Sequence, residues 1–256
     1  MTGGQRRSTG TREPVRLAVW SGPRNISTAM MRAWENRQDT VVVDEPLYAH
    51  YLASSGVDHP GRDDVLAAQP NDWESAVAGL FEPLPTGVRI HYQKHMTHHL
   101  LPGMDRAWIP RLRNVMLIRD PAEVVASYLR SRATVEPSDI GLRQQVELYE
   151  MLSALGAPPP ILDAGDFLRD PQGHLRWVCE WIGVDFTRRM LSWPAGGRDT
   201  DGVWAPYWYA TVRRSTGFEP WQPKVPDLRG PAARVADACR PEFERLYEAR
   251  LVLNPA

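Results

Sequence analysis

The sequence predicts a three-layer α/β fold built on a mostly parallel central sheet. Three observations carry that reading. Five short β-rich segments, at 15–20, 40–43, 88–92, 114–118 and 160–163, are near-continuous apolar runs, the pattern of strands buried on both faces. Helical periodicities lie between them, so strands and helices alternate as in βαβ units with right-handed crossovers. At 256 residues and 43% hydrophobic content the chain is long enough to bury one large core. No internal repeat or boundary divides it, so 14–256 read as a single domain. Residues 1–13, polar and glycine-rich, are expected to be a disordered tail.

The elements follow in order. Val15 to Trp20 is the first strand, and after a short turn Ile26, Ala29, Met30, Ala33 and Trp34 fall at i, i+3, i+4, i+7 and i+8, a helix with one buried stripe. Thr40 to Val43 is the second strand, closing on Asp44-Glu45. Val88 to Tyr92 is the third and leads into Gln-Lys94-His95-Met-Thr-His98-His99. Asn114 to Ile118 is the fourth, followed by a helix with Pro121 at its first position, where the missing N–H costs nothing. Further helices are expected at 141–155, 172–182 and 241–251, and the proline-rich stretches 157–160 and 220–231 read as loops. Ligands of such sheets bind outside the carboxyl ends of the strands, so the strand ends hold the candidate site.

Composition narrows the class of function. The net charge is −1 with acids and bases mixed, which gives no basic face for nucleic acid and no basic amphipathic stretch for a membrane. The two cysteines, Cys179 and Cys239, form no CxxC pair, so neither a disulfide framework nor a zinc knuckle is expected and a reducing compartment fits. No apolar run approaches about 20 residues and the start lacks a signal-peptide core, so a cytoplasmic location is expected. Of 30 basic residues only Lys94 and Lys224 are lysine, which draws attention to each.

Four strand ends can carry chemistry. Ser-Gly22-Pro23-Arg24-Asn25-Ile26-Ser27-Thr28 would place helix N–H groups, two hydroxyls and a guanidinium around one anion, but an ordinary capped turn with a surface arginine has the same pattern. The phosphate-loop lysine is absent, which disfavours an ordinary ATPase or kinase. Arg119, with Ser127 eight residues on, would grip a second phosphate; a surface Arg119–Asp120 arrangement is the plainer reading. The histidines at 91, 95, 98 and 99 suit a general base next to Lys94 better than a metal, since no carboxylate or cysteine ligand is nearby. Asp44 and Glu45 are helix caps or a solvated edge, or else acceptor-binding or base residues.

With these pieces in order, the chain resembles the PAPS-dependent sulfotransferases. Pro23 to Thr28 is similar to the family's 5′-phosphosulfate loop, and Arg119 with Ser127 matches its 3′-phosphate motif. Lys94-His95 ahead of Leu101-Pro102 is similar to the lysine–histidine strand end of the cytosolic enzymes, and Asp166 to Pro171 resembles their Glu-Asp to Asn-Pro segment. The likeness is strongest to a bacterial subgroup carrying SGPRNxST, DEPLYAHYL, KHMTHHL and DGxWxxxWYxxVxxSTGF, over roughly residues 15–220.

The resemblance implies a P-loop NTPase-like sulfotransferase fold. It also implies sulfuryl transfer from 3′-phosphoadenosine-5′-phosphosulfate (PAPS) to a hydroxyl or amine of a small-molecule acceptor, with 3′,5′-ADP (PAP) as product and no metal required. Gly22 to Thr28, Arg119 and Ser127 would bind the donor, with Arg198 or Arg214 adding a contact. Arg24 would take up charge on the leaving oxygen, Lys94 would follow it, and His95, or failing it Glu45, would deprotonate the acceptor. Glu45, Tyr48, His98, Trp204 and Trp208 are expected on the acceptor side. The chain departs from the family at three points. Ile26 replaces the loop glycine, so its backbone must avoid positive φ or bear strain. Ala29 and Ala164 stand where cytosolic members carry aromatics near the adenine, and Tyr48 stands where some bacterial members have a catalytic glutamate. Two alternatives share these motifs: sulfation followed by elimination or cyclisation, and a non-catalytic nucleotide-binding module. A homodimer is compatible with either.

Overall fold

Apolar runs too dense to alternate become strands with both faces covered. In the computed structural model, which describes residues 13–223 and 225–253, β1 (Val15–Ser21), β2 (Thr40–Asp44), β3 (Ile90–Met96), β4 (Arg113–Ile118) and β5 (Ile161–Asp163) form one sheet in the order β2-β3-β1-β4-β5. Every neighbouring pair is parallel. Apart from Glu13, the expected tail lies outside the described residues, as does Lys224.

Twelve helices surround the sheet among the described residues: α1 (Ser27–Glu35), α2 (Tyr48–Ser55), α3 (Arg62–Ala68), α4 (Trp73–Leu80), α5 (Pro121–Tyr128), α6 (Pro137–Ile140), α7 (Leu142–Ala154), α8 (Ala164–Arg169), α9 (Pro171–Trp181), α10 (Ala205–Trp208), α11 (Pro231–Ala238) and α12 (Arg240–Glu248). Strand alternation divides them into layers. Leu17 and Val19 of β1 pack with Val115, Leu117 and Leu162 against α1 and α9, through Met30, Met31, Leu175 and Val178. Ala18 and Trp20 face the other way and pack with Met116 and Ile118 against α5, α7, α11 and α12, through Val124, Leu148, Val235 and Phe243. The three-layer α/β fold expected from the sequence is therefore the fold observed. No described helix is long and apolar enough to cross a membrane, and both cysteines are free and buried.

The third strand differs from its expected position. It spans Ile90–Met96 rather than 88–92, so Lys94 and His95 lie within it and not at its end. A run this polar extends as a buried strand because it sits between β2 and β1, where its side chains find partners. Gln93 donates to His91 Nδ1 at 3.3 Å and accepts from His95 Nε2 at 3.2 Å, while Lys94 is held by two carboxylates. The expected loop at 220–231 ends one residue into α11, whose first position is Pro231. The turn after β3, Thr97–His99, and the ends of β1 and β4 lie along one edge, since Ser21 pairs with both Met96 and Leu117. With β1 at the centre and strands on either side, that edge is where this topology opens a crevice.

Candidate active site

The loop from β1 to α1 is shaped by three contacts. A Cβ on Gly22 would collide with the Ile140 carbonyl, so only glycine lets the α6–α7 turn close over the loop. Asn25 donates to the Leu117 carbonyl at 3.0 Å and accepts the Ile26 N–H at 2.8 Å, tying the loop to β4. Ile26 sits at φ −83°, free of the strain expected from the loss of glycine; the positive φ falls instead on Arg24, at 54°. The first backbone bond into α1 runs from Met30 to Ile26, which leaves the N–H groups of residues 27–29 at the helix N-terminus without intrahelical partners. One amide expected to face an anion, that of Ile26, is therefore already engaged.

Three guanidiniums converge beside this loop. The buried Ser127 hydroxyl accepts from Arg24 Nε at 3.2 Å and from Arg130 Nη2 at 2.9 Å. Arg119 Nη1 donates to the Arg24 carbonyl at 2.8 Å, and its other face grips Glu123 through Nε at 3.0 Å and Nη2 at 2.7 Å. Burial, and then the nearby Arg130 and Arg119 charges, push the Arg24 pKa below its usual value. Cations packed this closely with one carboxylate among them create demand for an anion. The structure thus brings Arg24, Arg119 and Ser127 together as expected from spacing. Arg130 was missed in the sequence, although Ser127 plus three is the next position on the same helical face. Arg198 and Arg214 do not join the cluster. Arg198 lies 3.8 Å from Glu35 at the far end of α1, its backbone N–H on Asp201, and Arg214 is an exposed residue of a short turn.

The residues of β3 separate by strand parity. His95 points into the core on the far face, stacked on Trp20 with ring centroids 4.2 Å apart, and burial pushes it down to about 3. It cannot reach an acceptor there without unpacking Trp20 and Trp108. Lys94 points to the other face and is fully buried, donating to Asp44 Oδ1 at 2.8 Å, Glu45 Oε1 at 2.5 Å and Tyr209 Oη at 2.7 Å. Burial alone would lower its pKa, but the Asp44 and Glu45 carboxylates outweigh that and hold it well above the ordinary value. All three ammonium protons are engaged, so Lys94, expected to follow a moving charge, is placed as the cation of a buried network. Tyr209 completes that network, donating to Asp44 Oδ2 at 2.6 Å and accepting from Trp204 Nε1 at 3.1 Å. Glu45 adopts a φ of 43°, and burial first, then Asp44, raise its pKa against the opposing pull of Lys94.

His98 is the histidine at the strand edge. Gly141, at φ 75°, packs against the His98 backbone and Cβ, and the same turn carries the Ile140 carbonyl that lies on Gly22. Thr97 locks this corner with one hydroxyl proton shared between the Ser21 and Gly141 carbonyls, 3.2 and 3.0 Å from its Oγ1. Burial, and then His59, push His98 down to about 3, and its Nδ1 has no hydrogen-bond partner. Next to it stands an aromatic wall. Tyr48 stacks on His99, bonds His59 Nδ1 through its hydroxyl at 2.9 Å and takes the edge of Trp204, while Trp208 faces His59 at 6.0 Å. Of the expected acceptor-side residues, Tyr48, Trp204 and Trp208 pack in one cluster, His98 joins it through Tyr51, and Glu45 joins it through Lys94 and Tyr209. At the end of β5, Trp221 lies against Gly165 with Arg169 stacked 3.6 Å from its ring centre, next to the position where Ala164 lacks an aromatic. Among the described residues, no three His, Cys, Asp or Glu side chains are arranged so that they could hold a metal ion.

Comparisons with known proteins give the family and the fold. The sulfotransferase domain model matches residues 15–243. The chain is 38% identical over 208 residues to branched-chain-amino-acid aminotransferase-like protein 1 of Arabidopsis thaliana, and 37% identical over 205 residues to protein 2 of the same name, covering 80% and 79% of this chain. It spans only 37% and 36% of the length of those two relatives. Among solved structures, a sulfotransferase from Alicyclobacillus acidocaldarius is similar at a TM-score of 0.53 and 17% identity, covering 94% of this chain and 98% of that one. The sulfotransferase domain of the Synechococcus PCC 7002 olefin synthase is similar at a TM-score of 0.52 and 17% identity, covering 92% and 98%. These two likenesses are of fold. The family model takes in every strand and the guanidinium-lined loop, and the chain belongs to the sulfotransferase domain family.

Proposed function

We propose that the protein transfers a sulfuryl group from PAPS to a hydroxyl or amine of a small-molecule acceptor and releases 3′,5′-ADP. The observation that carries this reading is the Arg24–Ser127–Arg130 cluster beside the free N-terminus of α1, which offers two adjacent anion positions at the ends of β1 and β4. A nucleotide phosphorylated at both 5′ and 3′ positions is the ligand class that fits such a pair. The donor brings an activated sulfuryl group; the protein's part is to position it and stabilise charge. The N–H groups of residues 27–29 and the Ser27 and Thr28 hydroxyls hold the 5′ end, and Arg24 takes up charge on the leaving oxygen. Trp221 offers an aromatic face to the base, and the wall from Tyr48 to Trp208 receives the acceptor.

His98 is the proton acceptor in this reading. It stands at the strand edge with its Nδ1 unpartnered and its ring neutral; burial weakens it as a base, so the bound acceptor and donor must stabilise its protonated form for the transfer to occur. Replacing it by asparagine is expected to lower kcat about a hundredfold or more, the usual contribution of a positioned base. His95→Asn is expected to lower the melting temperature while sparing kcat. A His98→Asn protein with full kcat would remove His98 from this role.

Thermal shift tests the donor class, since a ligand that binds the folded state raises the melting temperature by an amount that grows with the ratio of its concentration to its Kd. The melting temperature is expected to rise with 3′,5′-ADP and to stay unchanged with ATP and magnesium at the same concentration. The reverse outcome would sink the proposal.

A further inference from the structure

A cavity bounded by α7 and α12 lies outside the site described above. It holds about 660 Å³, within the range of small-molecule sites, and is walled by the loop after β3, the α6–α7 turn and the α11–α12 junction. The turn divides it from the β1–α1 loop. Ile140 and Gly141 rest on Gly22 and His98, while Ser138 and Leu142, which flank them, face the cavity. Leu100, Leu142 and Cys239, all buried, give it an apolar floor.

Two of its walls carry charge of opposite sign. On the first, Arg106 and Arg143 share one carboxylate: Glu147 Oε2 accepts from both Arg106 Nη atoms at 3.4 Å, and its Oε1 accepts from Arg143 Nε at 3.3 Å. These bonds are long, and two guanidiniums against one carboxylate leave one positive charge. On the second, α12 presents Glu242, whose Oε2 is buried with no hydrogen-bond partner. A buried carboxylate oxygen without a partner is a group that a ligand's N–H can satisfy.

Charge and shape together specify the occupant. A carboxylate completes the arginine wall, an ammonium completes Glu242, and an apolar group covers the floor. We propose that this cavity binds a free amino acid with a hydrophobic side chain, held by Arg106 and Arg143 at its carboxylate and by Glu242 at its ammonium. The site stands independently of the donor reading above.

Isothermal titration of the full chain tests it with L-leucine and L-phenylalanine. Each is compared with the acid that lacks its amine (4-methylpentanoate, 3-phenylpropanoate) and the amine that lacks its carboxylate (3-methylbutylamine, 2-phenylethylamine). At least one amino acid is expected to bind, roughly 10- to 100-fold more tightly than either of its analogues, the range for one charge-assisted contact. Glu242→Gln is expected to remove the advantage over the acid, and Arg106→Gln the advantage over the amine. Both side chains are partly exposed, so the variants are expected to fold. Ala238→Trp, at an exposed position on the cavity, is expected to fill it and abolish binding, which keeps the test decisive even where a charge variant does not fold. Failure of both amino acids to bind the wild-type chain would overturn the proposal. So would an analogue that binds as tightly as its parent, or an affinity that the folded variants leave unchanged.

Discussion

Lys94→Met is expected to destabilise the fold by about 3–5 kcal/mol, the cost of leaving a buried ion network without one partner. For a chain of this size that is a fall in melting temperature of roughly 10 °C. The magnitude follows from burial and partnership together. Lys94 is fully buried, and its three donors serve Asp44, Glu45 and Tyr209, so removing it strands two carboxylates in the interior. Adding Asp44→Asn to Lys94→Met should restore part of the loss, because cation and carboxylate then leave together. Differential scanning calorimetry on the two variants checks both statements. A melting temperature within about 2 °C of wild type for Lys94→Met would mean that the network contributes little. Affinity for 3′,5′-ADP is expected to survive in the folded variant, since the network lies beside the anion loop and not in it.

Arg24→Ala is expected to lower kcat by about 10²–10³, the effect of deleting one group aimed at developing charge. The assay uses sulfate-labelled donor and whichever acceptor the wild-type protein sulfates from a metabolite pool. Arg24 is suited to this role because its guanidinium is half desolvated and close to two other cations, so an anion at its tip gains more than it would in water. Arg24→Lys should recover part of the rate, as lysine keeps the charge but loses the planar fork. Unchanged kcat in Arg24→Ala would assign charge stabilisation elsewhere. A loss confined to the donor KM and to 3′,5′-ADP affinity, with kcat intact, would reduce Arg24 to a binding group.

Much of the fold could be read from the sequence because its signals are local. The apolar runs at 15–20, 40–43 and 114–118 became β1, β2 and β4 with small shifts, and the stripe from Ile26 to Trp34 became α1. Pro121 and the strand-to-helix turn fixed the start of α5. The helices between 48 and 80 were not legible. Each is eight residues or fewer, and α2 reads Tyr-Ala-His-Tyr-Leu-Ala-Ser-Ser, a stripe of aromatic and small residues with little aliphatic periodicity. The end of β3 was missed for a related reason. Gln93, Lys94 and His95 do not resemble a buried strand, and only neighbours distant in sequence make their burial tolerable.

For the candidate site, the sequence by itself determined which elements would meet. Arg24, Arg119 and His98 follow the ends of β1, β4 and β3, Ser127 lies on the helix after β4, and parallel strands place those ends on one edge. What only the tertiary structure decided is which atoms face one another. Strand parity sent His95 into the core and Lys94 into an ion network, leaving His98 at the edge. The Arg119–Glu123 pair and the Arg130–Ser127 contact gave similar guanidiniums different partners. Periodicity and motif spacing are properties of neighbours along the chain, whereas the charge state and free donors of a side chain depend on groups that arrive from other strands and helices. A sequence can therefore place an arginine at the site without stating which of its hydrogens remain free.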